Sequence, residues 1–391
     1  MFKHLTKTSA YGVYFNSVRM LIGASSALFL MEKGLSLQGI ATLKAFQAFI
    51  LIVSDIPLGY IADKVSKKLS VILAVAFGAL WLLTTAWAPS IEWLFVGEAF
   101  NALSLGFFGG AFSAILIEDE KAKGNNQVNK ILGEYGHLQF LAMAVCALIG
   151  GLFTEWMTEL WLVSGGLLLL QLVFMSSFLP SHKGTKSPRK SILIEFKNDF
   201  LKVKNSYTPG LLVVVLGHTI TFIFYQIIIQ YWQPIVKGVP WIQNHIFLLG
   251  PLFAVILLVQ SYAGKYISKI KNTKSMFITA NAITATVSLG LIYCLDQGLS
   301  LLLLVIMFFL LRCTLVLGSS IFNEAIEDEL RATLASFNST FSRVVLVILF
   351  PIFGALINDQ GLEVVGFLGV VASLFATVLA LVYSKNSNLK T

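Results

Sequence analysis

Charged and polar side chains inside long apolar runs are the residues of this sequence whose types and spacing suit chemistry. Arg19, Lys44, Glu98 and Arg312 all occur in such runs. If the runs cross a membrane, burying each charge costs roughly 2.5 to 3.5 kcal/mol on insertion scales, so each retained charge marks a candidate site. Hydrolysis and ATP-driven work are disfavoured, because the sequence has no P-loop, HExxH helix or Gly-x-Ser-x-Gly turn.

A net cationic pathway for a solute is the first interpretation of these residues. Arg19 and Arg312 lie near the centres of their runs and have no obvious acidic neighbour in sequence. Lys44 precedes Asp55 by about three helical turns, so the two share one helix face. Lys44 has an alternative role, in which its side chain reaches outward to the membrane surface. The predicted substrate contacts are Arg19, Asn16, Lys44, Gln47, Arg312, His218, Tyr225, Gln226 and Gln230.

Three titratable residues are candidates for proton coupling: Glu98, Asp55 and His137. Glu98 is the preferred proton carrier, and an ion pair between Glu98 and an arginine of the pathway is the alternative. Asp55 precedes Pro57, and a structural role at a bend there is favoured over proton transfer. Histidines in such positions are more often packed and hydrogen-bonded than proton relays, which applies to His137 and His218.

The composition is that of a helical membrane protein. Hydrophobic residues make up 57% and charged residues 12% of the 391 residues, and the mean hydropathy is +0.81. The apolar runs are long enough for helices that cross a bilayer, which needs about 20 residues each. We predict an all-α protein with twelve spans: Tyr11 to Leu30, Gly39 to Ile61, Leu69 to Trp87, Trp93 to Leu116, Ile131 to Phe153, Leu160 to Phe178, Gly210 to Trp232, Ile246 to Tyr266, Ser275 to Cys294, Leu301 to Phe322, Leu334 to Ile357 and Val365 to Tyr383.

The net charge of +8 does not indicate nucleic-acid binding, because the cations lie almost entirely on alternate loops. By the positive-inside rule those loops and both termini are cytoplasmic. We predict a multi-pass protein of the bacterial cytoplasmic membrane, with no cofactor, no metal site and no disulfide, and a monomeric state. The cations that carry this argument are Lys64, Lys67, Lys68, Lys121, Lys123, Lys130, Lys265, Lys269, Lys271, Lys274, Arg331, Lys385 and Lys390.

A polar segment divides the chain into halves. The predicted domains are two six-helix bundles, at 1–180 and 209–391, joined by a linker at 181–208. Apolar residues recur at helical spacing in the linker, between lysines, so it forms either a basic amphipathic helix on the inner leaflet or a solvated linker near anionic lipid.

An internal repeat and a loop motif point to a family. Ile117-Glu118-Asp119-Glu120 follows the fourth span, and the identical Ile326-Glu327-Asp328-Glu329 follows the tenth. Gly59-Tyr60-Ile61-Ala62-Asp63-Lys64-Val65-Ser66-Lys67-Lys68 joins the second and third spans and resembles the signature loop of the major facilitator superfamily. That resemblance implies two parallel six-helix halves and transport by alternating access. The glycine is expected to allow close approach of two helices; Ser66 replaces a usual glycine.

The resemblance narrows to a bacterial drug/proton antiporter-like subgroup. Asp55-Ile56-Pro57-Leu58-Gly59 and Arg331-Ala332-Thr333 with Ser336 look like motifs of that subgroup. Where many of its members carry an acidic pair in the fourth helix, this chain has Phe112 and Ser113, which weakens the transfer of a coupling residue there. The predicted residues of conformational gating are Gly59, Asp63, Lys64, Lys68, Arg331 and Arg343. Arg343 is interpreted as an interdomain latch that pairs with Asp63 or with carbonyls, in preference to a contact with substrate.

We predict a proton-coupled secondary transporter of a small molecule, with efflux favoured by the subgroup resemblance. The buried arginines support a second hypothesis, import or export of an anionic metabolite such as a polycarboxylate siderophore, because guanidinium groups bind carboxylates bidentately. A lipid flippase is the alternative of another class, and an apolar lateral gap would favour it. The predicted partners are therefore a small-molecule substrate, protons and the lipid bilayer.

Overall fold

The computed structural model describes residues 6–122, 124, 128–180, 209–267, 272–324, 326 and 331–388, without the side chains of 128–130, 264–266, 331–333 and 385–388. Every regular element within these ranges is helical. Three sequence predictions lie outside the described residues. They concern the linker helix, the acidic residues of the second Ile-Glu-Asp-Glu and the side chain of Arg331.

The chain forms two compact units, one of residues 1–187 with 241–261 and one of residues 188–240 with 262–391. Seven helices form most of the first unit: α1 (Lys7–Arg19), α2 (Ser26–Glu32), α3 (Leu37–Tyr60), α4 (Lys67–Trp87), α5 (Ile91–Ala122), α6 (Val128–Leu152) and α7 (Met157–Phe174). The remaining helices are α8 (Pro209–Lys237), α9 (Pro240–Gln243), α10 (Leu249–Ile267), α11 (Thr273–Tyr293), α12 (Leu299–Glu324), α13 (Arg331–Gln360) and α14 (Glu363–Asn388). The predicted domain boundaries at 180 and 209 stay a prediction.

Eleven helices in the described part of the chain are long and apolar enough to span a membrane, and they coincide with the second to twelfth predicted spans. The all-α, twelve-span fold is therefore confirmed. The first span is different, because the predicted continuous helix from Tyr11 to Leu30 is wrong. It is divided into α1 and α2 by a turn at residues 20–25.

Close packing against the turn explains why the first span is broken. A Cβ atom added to Gly150 of α6 would lie 1.8 Å from the backbone oxygen of Leu21, so α6 presses directly on the turn. Inside the turn, a Cβ atom on Gly23 would lie 2.5 Å from the ring of Phe253. The hydropathy of the sequence correctly predicted an apolar, helical segment here. It could not predict the interruption, which depends on residues that are distant in sequence.

The two units repeat the same helix pairings. In the first unit α4 packs against α5 and α7, and α1 packs against α6. In the second unit α11 packs against α12 and α14, and α8 packs against α13. Counted from the start of each half, these are the same pairs of spans: the third with the fourth and sixth, and the first with the fifth. The internal repeat seen in the sequence therefore extends to helix packing.

Candidate functional site

A network of buried charged and polar side chains lies inside the first unit. Lys44 Nζ of α3 donates to Glu98 Oε1 of α5 at 2.8 Å. The same oxygen accepts a hydrogen bond from Asn101 Nδ2 at 2.9 Å, and Asn101 Oδ1 accepts one from Arg19 Nη2. Arg19 Nη1 donates to Ser104 Oγ at 3.2 Å. We call Arg19, Lys44, Glu98, Asn101 and Ser104 the charged network.

Helical spacing and close packing explain why these groups meet. Glu98, Asn101 and Ser104 are three residues apart along α5, so they lie near one another on the helix. A Cβ atom on Gly97 would lie 2.5 Å from Thr85 Oγ1, so only a residue without a side chain lets α4 and α5 approach this closely here. Arg19 enters from the end of α1, just before the break in the first span.

The charged network is nearly closed to solvent. Glu98 is 3% exposed and Arg19 is 6% exposed, whereas the Lys44 side chain keeps 16% of its surface exposed. The Arg19 guanidinium carbon lies 4.5 Å from the ring centroid of Trp81 and 5.2 Å from that of Phe15. Because both of its terminal nitrogens and a ring face are engaged, Arg19 positions Asn101 and Ser104 in this structure. Its substrate contact stays a prediction.

The charges of the network do not cancel. With ordinary protonation states it contains two cations and one carboxylate, a net charge of +1. A single excess charge in a buried site is costly, so the network is suited to respond to the arrival or loss of a proton or an anion. The break in the first span, which directly follows Arg19, supports the interpretation of the charged network as a site for a solute or an ion. Interrupted helices are a frequent feature of such sites in transporters.

Four other predicted residues of the first unit lie outside the charged network. Asn16 Nδ2 donates to the oxygen of Gly12 at 3.0 Å and to Tyr135 Oη at 3.3 Å. His137 Nδ1 is 2.7 Å from Ser261 Oγ, which fits a hydrogen-bonded histidine. Gln47 and Asp55 are half-buried on α3. Helix α3 continues through Pro57 to Tyr60.

The predicted signature loop is largely helical. A π-helix over Ile61–Val65 contains Asp63 and Lys64, both exposed. Ser66 is extended and caps α4, since its Oγ accepts a hydrogen bond from the Leu69 backbone at 3.3 Å. This explains how serine serves where the family usually has glycine. A Cβ atom on Gly59 would meet no atom of the described residues within 4 Å, so the close helix approach expected there is not seen among them.

The first Ile-Glu-Asp-Glu repeat connects helix ends of the first unit, which the sequence did not reveal. Glu118 forms an ion pair with Lys67, and Asp119 Oδ2 accepts a hydrogen bond from Thr8 Oγ1 at 2.7 Å. Lys68 Nζ donates to the backbone oxygen of Leu179 at 2.9 Å. Of the predicted gating lysines, Lys68 therefore has an observed partner that ties α4 to the end of the sixth span.

The second unit contains a cavity of about 220 Å³ between α8, α12 and α13. We call it the neutral cavity, because its lining residues carry hydroxyl, amide, imidazole or apolar groups. Asn338 is 8% exposed, and its Oδ1 accepts no hydrogen bond from the described residues. Ser342 Oγ is 2.9 Å from Thr219 Oγ1. The lining residues are His218, Phe222, Ser319, Phe322, Asn323, Ala335, Asn338, Ser339 and Ser342.

Of the predicted substrate contacts in the second half, His218 lines the neutral cavity. Its Nδ1 is buried and has no hydrogen-bond partner among the described residues. Tyr225 packs edge-on against Phe308, with ring centroids 6.3 Å apart, and interacts electrostatically with Arg312. The side chains of Gln226, Gln230, Arg312 and Arg343 are half-buried.

Residues of both sites escaped the sequence analysis, although a signal existed for each. Asn101 is one turn from Glu98 in an otherwise apolar helix, and Asn338 and Ser342 are four residues apart on one helix. Polar pairs at such spacing mark an internal face. Among the described residues, no group of three or more His, Cys, Asp or Glu could hold a metal ion.

The comparisons with known proteins agree with this architecture. The profile of the Major Facilitator Superfamily matches residues 8–345, and no curated protein matches the sequence. A mutant form of the nucleoside transporter NupG superposes with a TM-score of 0.77 at 13% identity, covering 97% of this chain and 99% of that one.

Two sugar transporters also resemble the chain in structure. A D-xylose-proton symporter superposes with a TM-score of 0.70 at 12% identity, and the alignment covers 95% of each chain. The inward-open xylose transporter XylE from E. coli gives 0.68 at 13% identity, with 95% of this chain and 94% of that one covered. At these identities the likeness shows the fold alone.

Proposed function

Because the chain belongs to the Major Facilitator Superfamily, whose members are transporters and not enzymes, we propose that it couples the movement of protons to that of a small polar solute. In this proposal Glu98 carries the proton, and the neutral cavity provides part of the solute contact. The observation that carries the proposal is the single Glu98 oxygen that accepts from both Lys44 and Asn101 in a nearly closed site.

Protonation of Glu98 would change the balance of this site. The charged carboxylate offsets Lys44 at 2.8 Å, and a neutral carboxyl would leave two cations in a buried environment. Breaking a buried pair in this way costs several kcal/mol, so the site would rearrange. Lys44 is the partner suited to move, because its side chain is flexible and already partly exposed, whereas Arg19 is held between two aromatic rings.

Such a rearrangement would couple a proton to helix movement. Lys44 belongs to α3, Glu98 to α5, and Arg19 to the end of α1, so loss of the ion pair would weaken a connection between three elements. A proton that arrives from one side of the membrane and leaves to the other would then favour different arrangements of these helices. This is the energetic requirement for coupled transport.

The neutral cavity supports an uncharged, hydroxyl-bearing solute. Asn338 Oδ1 is buried without a donor, and His218 Nδ1 also has no partner among the described residues. Both atoms are closed to solvent in this structure, so a solute hydroxyl would satisfy one of them after its side chain turns toward the cavity, which would remove the cost of an unpaired buried polar group. The solved structures that resemble this chain include a nucleoside transporter and a D-xylose-proton symporter, and nucleosides and D-xylose are both rich in hydroxyl groups.

An anionic solute is the second candidate, because the charged network has an excess charge of +1. A carboxylate that approached Lys44 would neutralise this excess and compete with Glu98 for the ammonium group. Under this alternative, replacement of both Arg19 and Arg312 by glutamine would abolish transport of the anion. Unchanged anion transport in that double variant would contradict it.

A proton-flux assay tests the proposal and its alternatives. The purified full chain is reconstituted in liposomes loaded with a pH-sensitive dye, and uridine, xylose or citrate is added outside. We expect uridine or xylose to change the internal pH, and Glu98→Gln to abolish the change. Acidification indicates symport, and alkalinisation indicates the antiport implied by the subgroup resemblance. Transport of radiolabelled solute with no proton movement in either direction would contradict proton coupling.

A further inference from the structure

A continuous apolar groove on the first unit has no part in the proposed transport mechanism. Two cavities of about 740 and 500 Å³ share Tyr14, Ser17 and Cys146 as lining residues, so they adjoin each other. Residues of α1 form the floor, and residues of α6 and α7 form the walls. We call the joined cavities the lateral groove.

The length of the lateral groove matches one leaflet of a bilayer. Along α6 its lining residues run from Leu138 to Ile149, a distance of about 16 Å at 1.5 Å per residue. The hydrocarbon core of a membrane is roughly 30 Å thick, so one leaflet contributes about half of that. An acyl chain that lay along this groove would therefore have contacts over most of its length.

The lining of the lateral groove is suited to an acyl chain. Val145 of α6 is 55% exposed, Val163 of α7 is 56% exposed, and Ile149 is 45% exposed. The Tyr14 hydroxyl is directed to the backbone oxygen of Leu167 at 3.4 Å, which leaves its ring to line the groove. In a bilayer the acyl chain does not come from water, so the stabilisation is in packing: the floor and walls of the groove contact one chain at once, and these van der Waals contacts add up along its length.

One end of the lateral groove carries polar groups, whereas the rest of its lining is largely apolar. Trp156 is 57% exposed there, and Glu159 is the one charged residue that lines the groove among the described residues. Exposed tryptophan is typical of the level of lipid headgroups. A carboxylate at that level attracts an ammonium group.

We propose that the lateral groove binds one acyl chain of a membrane phospholipid, and that the amine headgroup of this lipid pairs with Glu159. The assignment extends beyond the transported solute and does not depend on it. The groove has the length of one leaflet, whereas the apolar lateral gap that would favour a lipid flippase must cross both. A partner helix is less suited, because it would need small residues on both walls: Ala142 and Cys146 of α6 are small, but α7 presents Val163 and Leu167.

Lipid binding can be measured by native mass spectrometry of the full chain in detergent. The probes are dioleoyl phosphatidylethanolamine, which has an amine headgroup, and dioleoyl phosphatidylglycerol, which has the same tails and no amine. Val163→Trp and Ile149→Trp fill the groove from two different walls. Val173→Trp on α7 and Leu148→Trp on α6 are matched controls, since both positions are exposed and line neither cavity.

We expect the wild-type chain to retain one phosphatidylethanolamine molecule. Each groove-filling variant should weaken this binding about tenfold, because the indole ring occupies part of the groove and removes the van der Waals contacts of the acyl chain there. The controls should bind as the wild type does, and equal binding by fillers and controls would overturn the proposal. The Glu159→Gln variant should lose a preference of about threefold for the amine headgroup, the size expected of an exposed ion pair. An unchanged preference would overturn the assignment of Glu159.

Discussion

The charged network of the first unit and the neutral cavity of the second show two ways of placing polar groups inside a membrane protein. Both involve the first and fourth spans of their halves, to which the charged network adds the second span and the neutral cavity the fifth. In the first unit Glu98, Lys44 and Arg19 are connected through hydrogen bonds. In the second unit Asn338 and His218 leave buried atoms without partners among the described residues. Under the proposed function, the first arrangement would respond to a proton and the second would bind a solute.

The largest expected effect is on stability, from removal of the carboxylate of the charged network. Glu98→Leu leaves Lys44 and Arg19 without a counter-charge, and we expect the free energy of unfolding to fall by about 3 to 5 kcal/mol. Adding Lys44→Leu should recover part of this loss, because the double variant removes an unpaired buried charge. Denaturant unfolding of the purified variants in detergent measures both effects.

Glu92→Leu is the control for that comparison. Glu92 belongs to the same helix but is exposed. It lies in the first turn and accepts a hydrogen bond from Ser90 Oγ, so its replacement should lower the unfolding free energy by about 1 kcal/mol at most. The account of the charged network is refuted if Glu98→Leu costs no more than this control.

The neutral cavity predicts the opposite pattern, with a change in binding and little change in stability. Asn338→Leu removes a buried acceptor that has no donor among the described residues, so the unfolding free energy should stay the same or rise. Solute affinity should fall about tenfold, as expected for the loss of one buried hydrogen bond. Calorimetric titration with uridine and with xylose checks the affinity.

Ser336→Leu on the same helix is the matched control, because Ser336 is exposed and does not line the cavity. Equal loss of affinity in both variants would remove Asn338 from the solute site.

The smallest expected effect separates stability from coupling within the first unit. Ser66→Ala removes the cap of α4 and should cost about 1 kcal/mol, whereas Ser66→Gly should cost only a few tenths. Proton-coupled flux should be unchanged in both, because the cap carries no charge of the network. A loss of coupling in Ser66→Gly with normal stability would contradict this separation.

Of the twelve spans that hydropathy predicted as continuous helices, eleven are found as helices long enough to cross a membrane, because the length and apolar character of each are local properties. The exception is the first span, where the break at residues 20–25 arises from packing by α6 against Leu21. Membrane burial also explains why Arg19, Lys44 and Glu98 could be singled out individually.

The contacts between these charged and polar residues could not be predicted from hydropathy. Lys44 and Glu98 are 54 residues apart, and Arg19 and Asn101 are 82 apart, so their contacts depend on how three helices pack. The alternative interpretation of Glu98, an ion pair, is observed in the structure, but its partner is Lys44 rather than an arginine. Asn101 is the link between Glu98 and Arg19. Its spacing from Glu98 marks an internal face of α5, but the sequence does not show that Arg19 is its second partner.

The central claim is tested most directly by measuring two modes of transport in one variant, namely accumulation driven by a pH gradient and exchange of solute. Liposomes with Glu98→Gln are compared with wild type and with Glu92→Gln, using whichever of uridine, xylose or citrate moves with protons in the wild type. We predict that Glu98→Gln loses accumulation driven by a pH gradient yet retains exchange of labelled for unlabelled solute, while Glu92→Gln retains both. Gradient-driven accumulation at the wild-type level in Glu98→Gln would contradict the assignment of Glu98 as the proton carrier.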